Sequence, residues 1–581
     1  MQVSGLNRIP RGASSVWPKL LDLMLFLAFI GTAAAVARVG AGMFVPFSPP
    51  AVMPEPIDLN PWRVPYYVAR STLRMFIALP LSVLFSLIYG YVAAHSKRAE
   101  RLMIPILDIL QSVPVLGFLS VTVTGFIALF RGSLLGLEAA SIFAVFTGQA
   151  WNLTFAFYQS LRSLPDDLRE ACRTYQLGRW QTFKRLELPS SVIPLVWNGM
   201  MSFGGGWFFV SASESMSVLN SNYTLPGIGS YVTVAIQHKN LQAILYAILA
   251  IAVVIILTDQ LLWRPLIAWS HRYKMEQQSE ADDRPESWLY DMLLASLWVQ
   301  AATRWIQRRL RSWTEALPKP AFRPVKAPVE DGKVNWVDRS YTAAIAMAAA
   351  VLAYAGLHFI LAELDLREVM HTAGLALATL SRVIALVLIS SLIWVPVGVA
   401  MGFRPKLARL GQPMALFLAS FPANFLFPFA TAIFLKWAIP INIGSALLMA
   451  FGTQWYVLFN VIGGAQAIPA ELREMARTFG LRHWPLWRAL ILPGIFRFWV
   501  TGALTAAGGA WNASIVAEVV SWGSIKLKAD GLGAYIADAT EKGDWPRITL
   551  GVGMMALVVV MLNRTVWNKL YNVAVNKYSL S

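Results

Sequence analysis

One polar loop occurs twice in this sequence, 304 positions apart, each time between strongly apolar segments. The first copy begins Pro165-Asp166-Asp167-Leu168-Arg169-Glu170-Ala171-Cys172-Arg173-Thr174 and runs to Leu188-Pro189. The second begins Pro469-Ala470-Glu471-Leu472-Arg473-Glu474-Met475-Ala476-Arg477-Thr478 and runs to Leu492-Pro493. The same offset pairs Trp180 with Trp484, Gly204-Gly205 with Gly508-Gly509, Trp207 with Trp511, Glu214 with Glu518, Gly227 with Gly531 and Gly229 with Gly533. Upstream, Arg74, Gly90 and Ser112-Val113-Pro114 pair with Arg382, Gly398 and Ser420-Phe421-Pro422 at an offset of 308. A four-residue insertion or deletion in the third or fourth apolar span reconciles the two offsets. This is an internal duplication, so the fold that one half adopts is required of the other.

That fold is dictated by solvent. Hydrophobic residues make up 56% of the 581 positions and charged residues 14%, with a mean hydropathy of +0.53. Such a chain is an integral membrane protein, and its apolar runs have the roughly 20-residue length of helical spans, unlike the short alternating strands of a β-barrel. Spans are expected near 20–38, 72–94, 103–130, 137–158, 191–212 and 241–263, and again near 342–363, 376–401, 410–436, 440–462, 494–517 and 548–564. The fold class is therefore an all-α polytopic membrane protein of about twelve spans, with the first run read as an uncleaved span. An even number of spans per half makes the two repeats parallel, related by an axis along the membrane normal.

The net charge of +17 is topological. Lys and Arg gather at Arg8, Arg11 and Lys19, at Lys97, Arg98 and Arg101, in both repeated loops, at Arg404, Lys406 and Arg409, and between Arg264 and Arg339. Counted from an inside N-terminus, these all fall on one side, which puts both termini in the cytoplasm and implies no nucleic-acid partner. The single cysteine, Cys172, excludes an internal disulfide and a cysteine-based metal site.

The chain divides into an N-terminal segment with the first span and an outer loop (1–69), a first repeat (70–265), a cytoplasmic linker (266–340), the first span of the second half with its outer loop (341–375), a second repeat (376–570) and a tail (571–581). In the linker, Trp288, Met292, Ala295, Val299, Ala302, Ile306, Leu310, Trp313 and Leu317 recur at helical steps, with Arg304, Arg308, Arg309 and Arg311 alongside. This predicts one amphipathic helix on the inner leaflet, its basic residues toward lipid phosphates. It either simply bridges the halves or contacts an ATPase or regulator. Pro318, Pro320, Pro324 and Pro328 then predict an extended segment.

Each repeated loop starts a short helix, with Pro in the first turn and acidic residues suited to the helix dipole. Gly480 supplies a left-handed stop in the second copy, and a second short helix follows. Here the chain resembles the permease subunits of ATP-binding-cassette importers, whose cytoplasmic signature is Glu-Ala-Ala, three residues, Gly, nine residues, then an aliphatic residue, any residue and Leu-Pro. Glu474, Met475, Ala476, Gly480, Leu490, Leu492 and Pro493 match it, as do Glu170, Ala171, Cys172, Leu186, Leu188 and Pro189. Gln176 replaces the Gly of the first copy, and Gly178, two residues on, is expected to take over the turn and leave a longer or tilted helix. Gly-Ile-Gly-Ser-Tyr-Val at 227–232 and Gly-Leu-Gly-Ala-Tyr-Ile at 531–536 resemble the nitrate, sulfonate, taurine and bicarbonate group in its duplicated form.

The resemblance implies the type I importer permease fold in the bacterial inner membrane. It also implies two copies of a cytoplasmic ATPase that uses ATP-Mg, one per coupling loop, and a periplasmic or lipid-anchored binding protein that delivers a small anion. The chain shows no Gly-x-x-x-x-Gly-Lys-Ser/Thr phosphate loop, His-Glu-x-x-His or Gly-x-Ser-x-Gly, so no catalytic residue, metal or cofactor is expected in it.

For the path itself the candidates are Gly204, Gly205, Gly508 and Gly509, which either let helices approach closely or leave room for substrate, together with Asn512, Glu214 and Glu518. Ser211 and Ser514 are further candidate donors to an oxyanion. A carboxylate binds anions poorly, so hydrogen bonding to backbone or a gating role suits Glu214 and Glu518 better than substrate contact. Arg74 and Arg382 stand near the outer face and either snorkel to the interface or attract an anion. Two rival readings are a secondary transporter of the major-facilitator type, whose Gly-x-x-x-Asp-Arg-x-Gly-Arg-Arg-like loop is missing, and a non-transporting membrane scaffold or sensor.

Overall fold

A computed structural model describes residues 16–47, 56–112, 114–218, 221–273, 287–316 and 336–577. The described chain is a succession of helices, because backbone groups in hydrocarbon can be satisfied only within their own segment. After α1 (Val16–Ala41), the first half contains α2 (Val64–His95), α3 (Lys97–Ser112), α4 (Leu119–Leu129), α5 (Leu135–Arg162), α6 (Asp166–Thr174), α7 (Arg179–Thr182) and α8 (Leu188–Glu214). It continues with strands β1 (Ser215–Val218) and β2 (Ser221–Thr224), then α9 (Ile228–Gln237), α10 (Leu241–Thr258) and α11 (Arg264–Ser270). The linker holds α12 (Trp288–Ala295) and α13 (Leu297–Ala316).

The second half repeats this order with α14 (Trp336–Glu363), α15 (Leu366–Gly402), α16 (Pro405–Ser420), α17 (Phe427–Lys436), α18 (Ile441–Ala467), α19 (Ala470–Thr478), α20 (His483–Leu486) and α21 (Leu492–Ala517). Strands β3 (Val519–Trp522) and β4 (Ile525–Lys528) follow, then α22 (Leu532–Lys542), α23 (Trp545–Leu562) and α24 (Asn568–Lys577). Even the wide π turns recur, at Phe183–Glu187 and Trp487–Ile491 and at Asp259–Trp263 and Asn563–Trp567.

Among the described residues eight helices are long and apolar enough to cross a bilayer. The expected spans at 103–130 and 410–436 are not single helices. The second is broken after Ser420, where Phe421, pushed out of the α region by the proline that follows it, is extended; in the first, Pro114 is itself extended, and neither proline has an N–H to donate. The pieces α4 and α17, of 11 and 10 residues, reach only about 16 Å at 1.5 Å per residue and cannot span a hydrocarbon core alone. Helices α5 and α8 have the length, 28 and 27 residues, but are diluted by Gly, Ser, Thr, Asn and Gln that face neighbouring helices. Thr154 donates to Ser86 at 3.0 Å, and Ser86 donates to the Ala150 carbonyl at 3.1 Å. The fold is the expected all-α polytopic membrane one, and it also carries two short antiparallel hairpins, β1–β2 and β3–β4.

The duplication extends to packing. A Cβ at Gly90 would lie 2.7 Å from Phe157, and one at Gly398 would lie 2.8 Å from Val461, the residue 304 positions beyond Phe157. Both glycines let the second helix of a repeat press on its fifth.

Residues 1–42, 160–197 and 257–330 form one compact unit, and residues 43–159, 198–256 and 331–581 another. In the first, the linker is two helices where one was expected. Ser296 takes an extended conformation, its hydroxyl donates to Asp22 of α1, and its Oγ accepts from the Val299 amide as the cap of α13. Trp298 packs on Phe26 and Phe29 at 5.8 and 5.9 Å between ring centroids. The basic N-terminal segment and the proline-rich stretch from Pro318 to Pro328 lie outside the described residues.

In the second unit the core runs through both repeats, with Leu137, Leu386, Leu448, Val500 and Trp511 among its most buried members. The extra length of the first repeat falls around the turn between α4 and α5, which has five residues where the second repeat has four. Gly132 (φ 78°) shapes it, and its edges pair with the chain after α1, Phe47 N–H donating to the Gly132 carbonyl and Leu134 N–H to the Val45 carbonyl.

Candidate functional site: coupling loops, buried clasps and a cavity

The two repeated loops fold alike. Both α6 and α19 are nine-residue helices preceded by Pro165 or Pro469 in an extended conformation, so each proline stands just before the helix and not inside its first turn. Both end in the same motif. Leu177 N–H donates to the Cys172 carbonyl and Gln176 N–H to that of Arg173; in the second copy Leu481 pairs with Ala476 and Gly480 with Arg477. This geometry places a left-handed residue just beyond the helix. Gly480 has φ 68°, and Gln176 itself takes φ 51°.

Gly178 does not take over that turn. It has φ −66° and caps the next short helix, so the first coupling helix is neither longer nor tilted by an altered stop. The surrounding hydrogen bonds fix position 176 as the left-handed one, whatever residue occupies it.

Glu170 and Glu474 are exposed, while Ala476 is buried and Cys172 half-buried against the chain that follows. Burial, and then the Glu187 carboxylate, hold the Cys172 thiol above its ordinary pKa. Arg473 fastens its helix by donating to the Ile468 carbonyl at 2.8 Å and stacking over Phe403. The signature passes over one feature. Tyr175 and Phe479, at the same offset, are 78% and 74% exposed, and with Trp180 and Trp484 they set apolar surface beside each glutamate.

At the far end of each post-coupling helix is a buried clasp. In the first repeat Arg74 of α2 donates to Glu138 through Nε (2.6 Å) and Nη2 (2.8 Å), to Glu214 through Nη1 (2.6 Å) and to the Pro226 carbonyl (3.0 Å). Arg70 also pairs with Glu138. Ser71 donates to Glu214 and accepts from Ile228 N–H, and Gly229 N–H donates to the other Glu214 oxygen at 2.7 Å. In the second repeat Arg382 of α15 donates to Glu518 at 2.8 Å and to the Asp530 carbonyl at 2.8 Å, and Thr379 stands where Ser71 does. Gly227 and Gly531 are required, since a Cβ at either would fall 2.2 Å from the glutamate.

Arg74 and Arg382 thus neither snorkel nor face an incoming anion. They are buried beneath α9 and α22, because an ionised group away from water must find its countercharge. Glu214 and Glu518 line no path, as their oxygens are committed to the clasp.

The path candidates separate. A cavity of about 80 Å³ lies in the second unit, where Gly204, Gly205, Phe208 and Phe209 of α8 face α16, α18 and α21. Gly509 and Asn512 line it as well; Gly508 does not, and nothing lies within 4 Å of where its Cβ would be. Asn512 accepts at 2.9 Å from the Val115 amide beside the Pro114 break, and Ser211 bonds Asn424 beside the Pro422 break. Each repeat's post-coupling helix thereby grips the broken helix of the other. Ser514 is fully buried and spends its hydroxyl on the Trp511 carbonyl.

The family model for binding-protein-dependent transport system inner membrane components matches residues 68–262 and again 394–566, more than half of the chain. The bicarbonate transport system permease protein CmpB of Synechococcus elongatus is 28% identical over 191 residues, 33% of this chain and 65% of that protein. The nitrate import permease protein NrtB of Leptolyngbya laminosa is 25% identical over 190 residues, 32% of this chain and 64% of its own length. The trimethylamine N-oxide transport system permease protein TmoV of Pelagibacter ubique is 26% identical over 198 residues, 34% of this chain and 25% of its own. The chain spans just under two thirds of the length of the bicarbonate and nitrate relatives. With both repeats matched at the positions of its duplicated helices, this chain belongs to the family of binding-protein-dependent transport system inner membrane components.

Proposed function

We propose that this chain is the membrane subunit of an ATP-driven importer of a small oxygen-bearing anion, both halves of its path fused in one polypeptide. One copy of a cytoplasmic ATPase docks on each coupling loop and supplies all ATP-Mg chemistry; an external binding protein delivers the cargo. Both termini lie in the cytoplasm of the bacterial cell. The names of the bicarbonate and nitrate relatives support the cargo class.

The observation that carries this reading is that α19 turns at Gly480 into α20, which runs unbroken through the π turn into α21, a 26-residue helix that ends at the Glu518 clasp. Such a helix is about 39 Å long, so a tilt imposed at its coupling end is delivered across the membrane. Rocking of α21 against the Pro114 break, and of α8 against the Pro422 break, alternates access to the cavity between them. Exposed Glu474, flanked by Phe479 and Trp484, is the charge a partner groove would engage. Glu474→Lys reverses that charge at a surface position, so transport by the assembled complex falls at least a hundredfold while the melting temperature of the purified chain stays within a degree or two; unchanged transport contradicts the coupling role.

A further inference from the structure

The duplication predicts two equivalent recesses, one per repeat, and among the described residues the one in the second repeat is open. In the first repeat Gly148 of α5 is covered by Phe209, whose ring carbons lie 2.5 and 2.6 Å from where a Cβ of Gly148 would be. The equivalent of Phe209 is Ala513 and that of Gly148 is Gly452, and a Cβ there would meet only Ala423, at 3.2 Å. The space that Phe209 fills in one half is the cavity in the other.

Its chemistry is one-sided as well. None of its lining residues is charged. Thr453 spends its hydroxyl on the Met449 carbonyl and Asn512 its amide on Val115 and Gly508. Two hydroxyls remain, Ser420 Oγ at the end of α16 and Tyr456 Oη on α18, and neither has a hydrogen-bond partner among the described residues. They converge on adjacent glycines of α8, where a Cβ at Gly204 would lie 2.2 Å from Ser420 Oγ and one at Gly205 3.3 Å from Tyr456 Oη. Both hydroxyls border the cavity with their donor capacity unspent, so a ligand with an oxygen acceptor can bond to the two at once. One turn further along the same helix stand Phe208 and Phe209, with Phe208 in the position of Asn512.

Resting on the importer reading above, we infer that this cavity is a recognition site for a small organic molecule whose negatively charged oxygen head accepts from Ser420 and Tyr456 while its compact apolar body packs on Phe208 and Phe209. About 80 Å³ holds on the order of five waters, and so a ligand of roughly five to seven non-hydrogen atoms. Uncharged donors and an apolar wall favour such a body over a fully hydrated inorganic anion, which would lose its water for too few contacts.

Binding of ethanesulfonate, trimethylamine N-oxide and nitrate to the purified full-length chain, measured by titration calorimetry, tests this. Ethanesulfonate or trimethylamine N-oxide is expected to bind at least tenfold more tightly than nitrate. Tyr456→Phe and Ser420→Ala each weaken that binding by about fivefold, the worth of one hydrogen bond, while Phe208→Asn moves the preference toward nitrate. Nitrate binding equally well or better, no binding of either organic probe, or affinities unmoved by Tyr456→Phe and Ser420→Ala in protein of unchanged melting temperature overturns the assignment. ATP-dependent uptake by the complex is scored separately. Uptake without these affinity changes sinks the cavity assignment alone, whereas absence of ATP-dependent uptake of any compound sinks the importer reading.

Discussion

Arg70 and Glu138 are a charge pair that the second repeat lacks as a pair. At the matching positions stand Ala378 and Asn442, and Asn442 meets Arg382 at 3.1 Å as Glu138 meets Arg74. The first clasp sets two arginines against two glutamates; the second sets one arginine against Glu518, with the Asp530 carboxylate accepting from Asn442 at 3.0 Å. Glu138→Asn alone leaves Arg70 buried without this carboxylate and is expected to cost about 3 kcal/mol; adding Arg70→Ala recovers most of that, and a double-mutant cycle on melting temperature reads the coupling. Gln176 gives a second test, because a left-handed non-glycine residue is strained by about 1 kcal/mol. Gln176→Gly should raise the melting temperature and Gly480→Ala lower it; no difference in either contradicts the matched-stop geometry. The recurrence of these arginines and glutamates is legible in the sequence, but their meeting is not. Arg74 and Glu214 are 140 positions apart, and the four-residue shift between the two offsets hides the equivalence of Glu138 with Asn442 until packing reveals it.

Among the elements, the coupling helices, the long post-coupling helices and most spans follow directly from apolar run length and repeat register. The broken helices do not, because a run such as 410–436 remains apolar across Pro422 and only the backbone chemistry of proline divides it. The two hairpins escape the same reading, since four-residue strands such as Ser215–Val218 carry no span-length signal. The break has a consequence for the cavity, since it ends α16 at Ser420 and turns that hydroxyl toward Gly204. Pro422→Ala lets α16 extend and withdraws the hydroxyl. Transport is expected to fall at least tenfold while thermal stability holds or rises, and transport at the wild-type level would show that the break is not needed.

In the molecule as a whole, two halves with matched loop helices, matched clasps and matched helix breaks carry, among the described residues, an open recess in the second unit. The symmetric parts are the repeated loops and the long helices that follow them. Besides the α4–α5 turn and the Gln176 stop, the halves differ in the cavity wall and in the extra charge pair of the first clasp, where a fused chain is free to diverge as two identical subunits are not. Family membership rests on both repeats, whereas energy source and cargo are matters for measurement. The most direct one is uptake of labelled nitrate, bicarbonate, ethanesulfonate and trimethylamine N-oxide into proteoliposomes holding this chain, its co-purifying ATPase and an added periplasmic binding-protein fraction, with and without ATP. Accumulation of one of them that requires ATP, and is lost on Glu474→Lys, is the predicted result; accumulation that ignores ATP and follows an imposed proton gradient would contradict the account.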